Sequence, residues 1–225
     1  MTYVLQKYAD RDMLAMGLAD ILASALRKSL LTNAAASLAV PGGTTPGPIF
    51  DVLSAVDLDW KRVTVMLTDE RWVPDTHERS NAGLIRSRLL QGPAQKATFL
   101  PFFKEGLTAQ EATSELSDEL SAHLPLSLVL LGMGADMHTA SLFPGADGLA
   151  EALKPDANAV CAVAPDSQPE RRITLSAPVL NGAMDKHLVI FGQDKRDALE
   201  NAIKRQPQEA PISAVISGGT VHWAP

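Results

Sequence analysis

One cysteine, Cys161, in a chain of 225 residues removes any internal disulfide and fits a reducing compartment. Long apolar runs are missing: no stretch approaches the roughly 20 residues that span a bilayer. The opening Met1-Thr2-Tyr3-Val4 lacks a basic head followed by an apolar secretory core. The expected location is therefore the cytoplasm, with no membrane partner. Positive charge is also short: 20 Lys and Arg against 26 Asp and Glu leave a net charge of −6. That balance argues against a general nucleic-acid binder. It also means that an anionic ligand is repelled at long range, so local donors have to capture it. There is no internal repeat, low-complexity tract, convincing linker or preceding helix-turn-helix module.

What is present is ordinary for a globular protein, with 46% hydrophobic and 20% charged residues. The length is large for one domain and small for two, so one α/β unit over residues 1–225 is expected. Asp10 is read as a helix cap, followed by a stripe of Met13, Leu14, Leu18, Ile21, Leu22 and Leu26 running to about Leu31. Ser37 to Val40 reads as a strand, Pro46 to Ser54 as a helix, and Arg62 to Leu67 as the next strand. Ser80 caps a helix carrying Leu84, Ile85, Leu89 and Leu90; Thr108 with Glu111 forms a capping box for a helix to about His123. Further strands are expected at Leu126 to Leu131, Arg172 to Leu175, His187 to Phe191 and Ala214 to Ser217, with a helix from Lys195 to Arg205. Strands alternating with helices imply a mostly parallel sheet covered on both faces. Ala164 to Pro169 is the expected mobile loop.

Chemistry concentrates where strands release their loops, the place ligands bind in such sheets. After Leu128 to Leu131 comes Gly132-Met133-Gly134-Ala135-Asp136-Met137-His138, an imidazole two residues from a carboxylate and a plausible proton-transfer device. The plain alternative is that these glycines make a turn and His138 caps the next one. Gly42-Gly43-Thr44-Thr45 joins a strand to a helix; its amides and hydroxyls suit an anion, or make an ordinary tight turn. Lys195 sits in the first turn of a predicted helix, where the dipole disfavours a cation unless an anion is bound; charge balance with Asp194 and Asp197 is the alternative. Arg71, between Glu70 and Trp72, can pair with phosphate or sugar oxygens while the acids Asp69 and Glu70 hold it; three merely solvated charges in a surface loop are the alternative. These loops are expected to leave one edge of one sheet.

Taken in order, Gly42-Gly43-Thr44-Thr45-Pro46, Asp69-Glu70-Arg71-Trp72-Val73-Pro74, His77 with Ser80-Asn81, and Gly132 through Gly145 resemble the 6-phosphogluconolactonase family. Arg172-Ile173-Thr174-Leu175 and Gly192 with Lys195 extend the resemblance over nearly the whole chain. It implies a Rossmann-like α/β fold shared with glucosamine-6-phosphate deaminase. It also implies hydrolysis of 6-phospho-D-glucono-1,5-lactone in the pentose phosphate pathway, without cofactor or metal. His138 would be the general base, and Asp136 would orient it or hold a substrate hydroxyl. Gly42, Gly43, Thr44, Thr45, Arg71, Arg172 and Lys195 would grip phosphate and sugar oxygens, with amides near Gly43 or Gly134 serving the oxyanion. The partner is the phosphosugar lactone alone, taken by a monomer or weak homo-oligomer.

One position departs from the pattern: Met137 stands where family members often carry glycine, so either the loop takes an ordinary φ or its shape differs. The nearest rival, a glucosamine-6-phosphate deaminase, typically carries a proton-transferring glutamate where this chain has Phe143. A noncatalytic phosphosugar sensor is the second rival, and ribose-5-phosphate isomerase a weaker third. His77 with Glu78 lacks a third ligand at useful spacing, so no metal site is expected. Ser141 lacks a nucleophile-elbow pattern. His123, His187 and His222 are read as structural, at a helix end, a strand entrance and a terminal strand.

Overall fold

The computed structural model describes residues 2–166 and 168–225. In chain order the elements are β1 (Val4–Lys7), α1 (Arg11–Thr32), β2 (Ala36–Val40), α2 (Gly47–Ser54), β3 (Val63–Leu67), β4 (Asp69–Arg71), α3 (Asn81–Arg88), β5 (Thr98–Leu100) and α4 (Ala109–Ser121). There follow β6 (Leu128–Gly132), α5 (Leu149–Ala152), β7 (Val160–Val163), β8 (Arg172–Leu175), α6 (Ala177–Asn181), β9 (Lys186–Phe191), α7 (Gln193–Ala202) and β10 (Thr220–Ala224). Seven strands pair in parallel in the order β1-β10-β9-β6-β2-β3-β5. β4, β8 and β7 form a separate antiparallel sheet.

The order reverses direction after β5, and right-handed crossovers then put α1 to α3 on one face and α4 and α7 on the other. β2 and β3 are buried at every position, as strands covered on both faces must be. The predicted caps form: Asp10 accepts from the Met13 N–H at 2.7 Å, Ser80 from the Gly83 N–H at 3.1 Å, and Thr108 and Glu111 close the capping box. No helix among the described residues is long and apolar enough to cross a membrane.

Two expectations need correction. Ala214 to Ser217 is not a strand: Pro211 opens a short 3-10 turn over Pro211–Ala214, and Val215 and Ile216 are buried from that turn. Their apolar character reflects burial rather than extension, and the last strand begins later, at Thr220. Asp69 to Arg71 is a strand, not a loop; its charged residues pair with β8, Arg71 lying opposite Arg172. The expected loop Ala164 to Pro169 contains Ser167, which lies outside the described residues.

Under α1 a polar chain crosses β1, β10 and β9. Tyr8 Oη lies 2.9 Å from His222 Nδ1, and His222 Nε2 lies 2.9 Å from His187 Nδ1. His187 Nε2 stands 3.2 Å from Asp185 Oδ1, poorly aligned for a hydrogen bond. Both imidazoles are buried, which pushes both down, His222 to about 3 with His187 adding to the effect; Asp185 pulls His187 back up.

Above pH 6.5 His222 is neutral whether folded or not, and nothing is lost. As pH falls from there toward 3, the unfolded chain gains a proton that the native state refuses, so stability drops. The slope from His222 alone is about 1.4 kcal/mol per pH unit. His222→Gln, which can still accept from Tyr8 and donate to His187, should flatten the acid limb. Urea midpoints at pH 7 and pH 5 check this; the same loss in both proteins would refute it.

Candidate active site

The C-terminal ends of β2, β6 and β9, with the small sheet beside them, surround a cleft of about 340 Å³. Its lining includes Gly42, Gly43, Thr44, Thr45, Arg71, His138, Arg172 and Lys195, so all but one of the predicted site residues meet there. The exception is Asp136, which is exposed and touches His138 through Nδ1. A second hollow, at the opposite ends of the strands, carries no comparable convergence of cations and amides around an imidazole.

The glycine-threonine turn joins β2 to α2 as expected. A Cβ on Gly42 would fall 1.8 Å from Asn81 Oδ1, so only glycine lets Asn81 pack there. Gly43 takes φ +85°, a conformation costly for other residues, and the residue is exposed. Neither threonine hydroxyl bonds another group among the described residues.

The histidine loop is closed by its own backbone: the Gly134 N–H donates to His138 O and the Met137 N–H to Gly134 O, both at 3.0 Å. Thr139 Oγ1 donates back to Gly132 O at 2.8 Å. Asp136 Oδ1 lies 2.5 Å from His138 Nδ1. A carboxylate only accepts, so Nδ1 carries the proton and Nε2 of the neutral ring is the basic nitrogen. The bond to His138 holds the Asp136 carboxyl below its usual range. Phe143 stacks on the imidazole with centroids 4.1 Å apart and planes at 25°. The position where the rival carries an acid is thus a packing platform, and Arg172 Cζ lies over the same ring, 5.8 Å from its centroid.

Met137 adopts φ +67°. The loop therefore keeps the left-handed turn in spite of its methionine, and the ordinary-φ alternative is not what is found. Such a residue costs roughly 1–2 kcal/mol. The turn is held by the Ile212 N–H donating to Met137 O at 3.2 Å and by the side chain packing on the core.

Arg71 leaves the C-terminal end of β3, at the expected edge, but as part of strand β4 of the small sheet rather than in a loop, and Arg172 comes from β8 beside it. Nor do the neighbouring acids grip the guanidinium of Arg71. Arg71 Nη1 donates to the Arg79 carbonyl at 2.6 Å and to Asn81 Oδ1 at 2.9 Å. Asp69 instead accepts from Ser141 Oγ at 2.6 Å and Thr68 Oγ1 at 3.1 Å. Glu70 is buried and holds backbone N–H groups; burial raises its carboxyl to about 7 even against the downward pull of those donors. Arg172 is 3% exposed, donates through Nη2 to Gln168 Oε1 at 3.0 Å, and leaves Nε without a partner among the described residues, as does Arg71.

Lys195 is half-buried in the first turn of α7, and burial lowers its pKa. It pairs with neither nearby acid; Asp197 accepts from Gln193 instead. Two polar cleft residues had no assigned role at the level of sequence. Asn81 was visible only as part of a motif, and Gln168, which also accepts from Arg79 Nη2 at 3.2 Å, had no signal at all.

A glycine-threonine turn, three cations and an ordered imidazole meet in one cleft of an α/β protein. Residues 9–223 match the family model described as glucosamine-6-phosphate isomerases/6-phosphogluconolactonase. A 6-phosphogluconolactonase of Pseudomonas aeruginosa is 42% identical over 94% of this chain and 90% of its own. One of Mesorhizobium japonicum is 40% identical over 100% and 96%. The crystal structure of a 6-phosphogluconolactonase from Shewanella baltica superposes with a TM-score of 0.95 at 33% identity, covering 100% of this chain and 98% of that one. The chain belongs to this family, on its 6-phosphogluconolactonase side.

Proposed function

We propose that the chain, acting as one unit over residues 1–225, hydrolyses 6-phospho-D-glucono-1,5-lactone to 6-phosphogluconate. The observation that carries this reading is the Asp136-ordered imidazole of His138 in the same cleft as Arg71, Arg172, Lys195 and the Gly42 to Thr45 turn. His138 Nε2 takes a proton from water as the oxygen attacks C1 of the lactone. The carbonyl becomes an oxyanion, for which the amides near Gly43 are the donors at hand, since the Gly134 N–H is already held by His138 O. As the intermediate collapses, the C1–ring oxygen bond breaks and the imidazolium returns its proton to the leaving oxygen. Asp136 orients the ring and stabilises its charged form. The cations hold the phosphate and hydroxyl oxygens, which the net charge of the chain would otherwise repel. Phe143 has no proton to give, which weighs against a deaminase.

The test is the rate of acid release from freshly made lactone, with spontaneous opening subtracted. No excess over the blank, or ammonia release from glucosamine 6-phosphate, would overturn the reading. Lys195→Ala should mainly raise KM, by about ten- to a hundredfold, as loss of one charge-assisted bond of roughly 1.5–3 kcal/mol implies. A variant with unchanged KM would take Lys195 out of the substrate grip.

A further inference from the structure

Glu70 does not line the cleft, yet its carboxylate has no surface exposure and collects four donors. Oε1 accepts from the N–H of Arg71 at 2.7 Å and of Asn81 at 2.8 Å. Oε2 accepts from the N–H of Ala82 at 2.7 Å and from Ser80 Oγ at 3.1 Å. A buried carboxyl group is costly unless its lone pairs are matched, and here four donors match them. The helix alone does not require those contacts, because Ser80 already caps α3 through the Gly83 N–H at 3.1 Å. What Glu70 adds is a tie between two particular residues. Its Oε1 holds the backbones of Arg71 and Asn81, the same pair whose side chains meet at 2.9 Å in the cleft wall. Asn81 Nδ2 closes the frame by donating to Asp69 O at 2.8 Å.

We propose that Glu70 is a positioning residue: it clips β4 to the first turn of α3 and thereby sets the Arg71 guanidinium for the anionic end of the substrate. The inference rests on Arg71 being part of the substrate grip. Glutamine at this position keeps the size but must turn an NH₂ toward backbone donors, so part of the clip is lost.

Steady-state kinetics on fresh 6-phosphogluconolactone, with wild type, Glu70→Gln, Arg71→Ala and the double variant, test this. Glu70→Gln should raise KM about five- to tenfold with kcat within about twofold, as loss of one or two hydrogen bonds in a positioning frame implies. In the Arg71→Ala background the same change should raise KM by less than about twofold, because residues acting as a unit are not additive. A wild-type KM in Glu70→Gln, or the same rise with and without Arg71, would overturn the proposal. A wild-type KM in Arg71→Ala would instead remove the underlying assignment, and the inference with it. Should Glu70→Gln fail to fold, Ser80→Ala, which removes one donor to Oε2 along with the cap on the Gly83 N–H, carries the comparison through its dependence on Arg71. It should raise KM about two- to threefold only when Arg71 is present; no such difference overturns the proposal.

Discussion

His138→Asn should lower kcat by about 10²–10⁴-fold while moving KM little, the range expected for removal of a positioned general base. Asparagine can still meet Asp136, so the loop keeps a hydrogen bond, but it offers no basic nitrogen at the working pH. The measurement is single-batch kinetics on fresh lactone with the spontaneous rate subtracted, since this ester opens unaided and sets a floor. Near-normal turnover would remove His138 from the chemistry. Asp136→Asn separates the two roles open to the acid. An amide facing Nδ1 can donate to it and shift the ring proton to Nε2, which is the unproductive tautomer. If Asp136 orients the ring, kcat falls and KM holds. If it binds a substrate hydroxyl, KM rises instead. Its 2.5 Å contact with His138 Nδ1 leads us to expect the first.

The elements most legible in the sequence were those where burial and periodicity agree. Leu128 to Leu131 is apolar at every position because β6 lies inside a parallel sheet, with β2 and β9 on its two sides. The helix caps at Asp10, Ser80 and Thr108 were legible because each is a local hydrogen bond between neighbours in sequence. β1 is mostly exposed and β5 is three residues long, so neither carries a pattern strong enough to read. β4 was hidden for another reason: Asp69, Glu70 and Arg71 look like a solvated loop, and their burial depends on partners distant in sequence. Ser141 and Thr174 come from 72 and 105 positions further on. The candidate site was legible as a set because its loops follow strand ends, whereas the support of Arg71 was not. That support runs through Asn81, the Arg79 carbonyl and Glu70, contacts that only the folded backbone creates.

The position of Met137 shows how far the fold constrains the dyad. A residue that disfavours positive φ still adopts it, because the hydrogen bonds around Gly134, His138 and Ile212 leave the loop one shape. Strain is thus accepted in the backbone while the imidazole and carboxylate stay paired. That ordering makes a further test possible, in which the backbone is left alone and the dyad is pushed.

Gly134→Ala should cut kcat by about 10²-fold with the fold intact, the loss expected when a catalytic group is displaced by about an ångström. A Cβ at this position would stand 2.2 Å from His138 Nδ1, 2.3 Å from its Cε1 and 2.4 Å from Asp136 Oδ1. Gly134 is not among the glycines with positive φ, so alanine meets no backbone objection there. The atoms it strikes are side-chain ends, which can swing aside at modest cost to stability. Swinging aside, however, breaks the very contact that fixes the tautomer and aims Nε2. The expected signature is therefore a melting temperature close to wild type with a large fall in kcat and a KM little changed. Parallel melting curves and kinetics on the two proteins would decide it. Wild-type kcat in a folded Gly134→Ala protein would mean that the pairing of Asp136 and His138 is dispensable for the reaction.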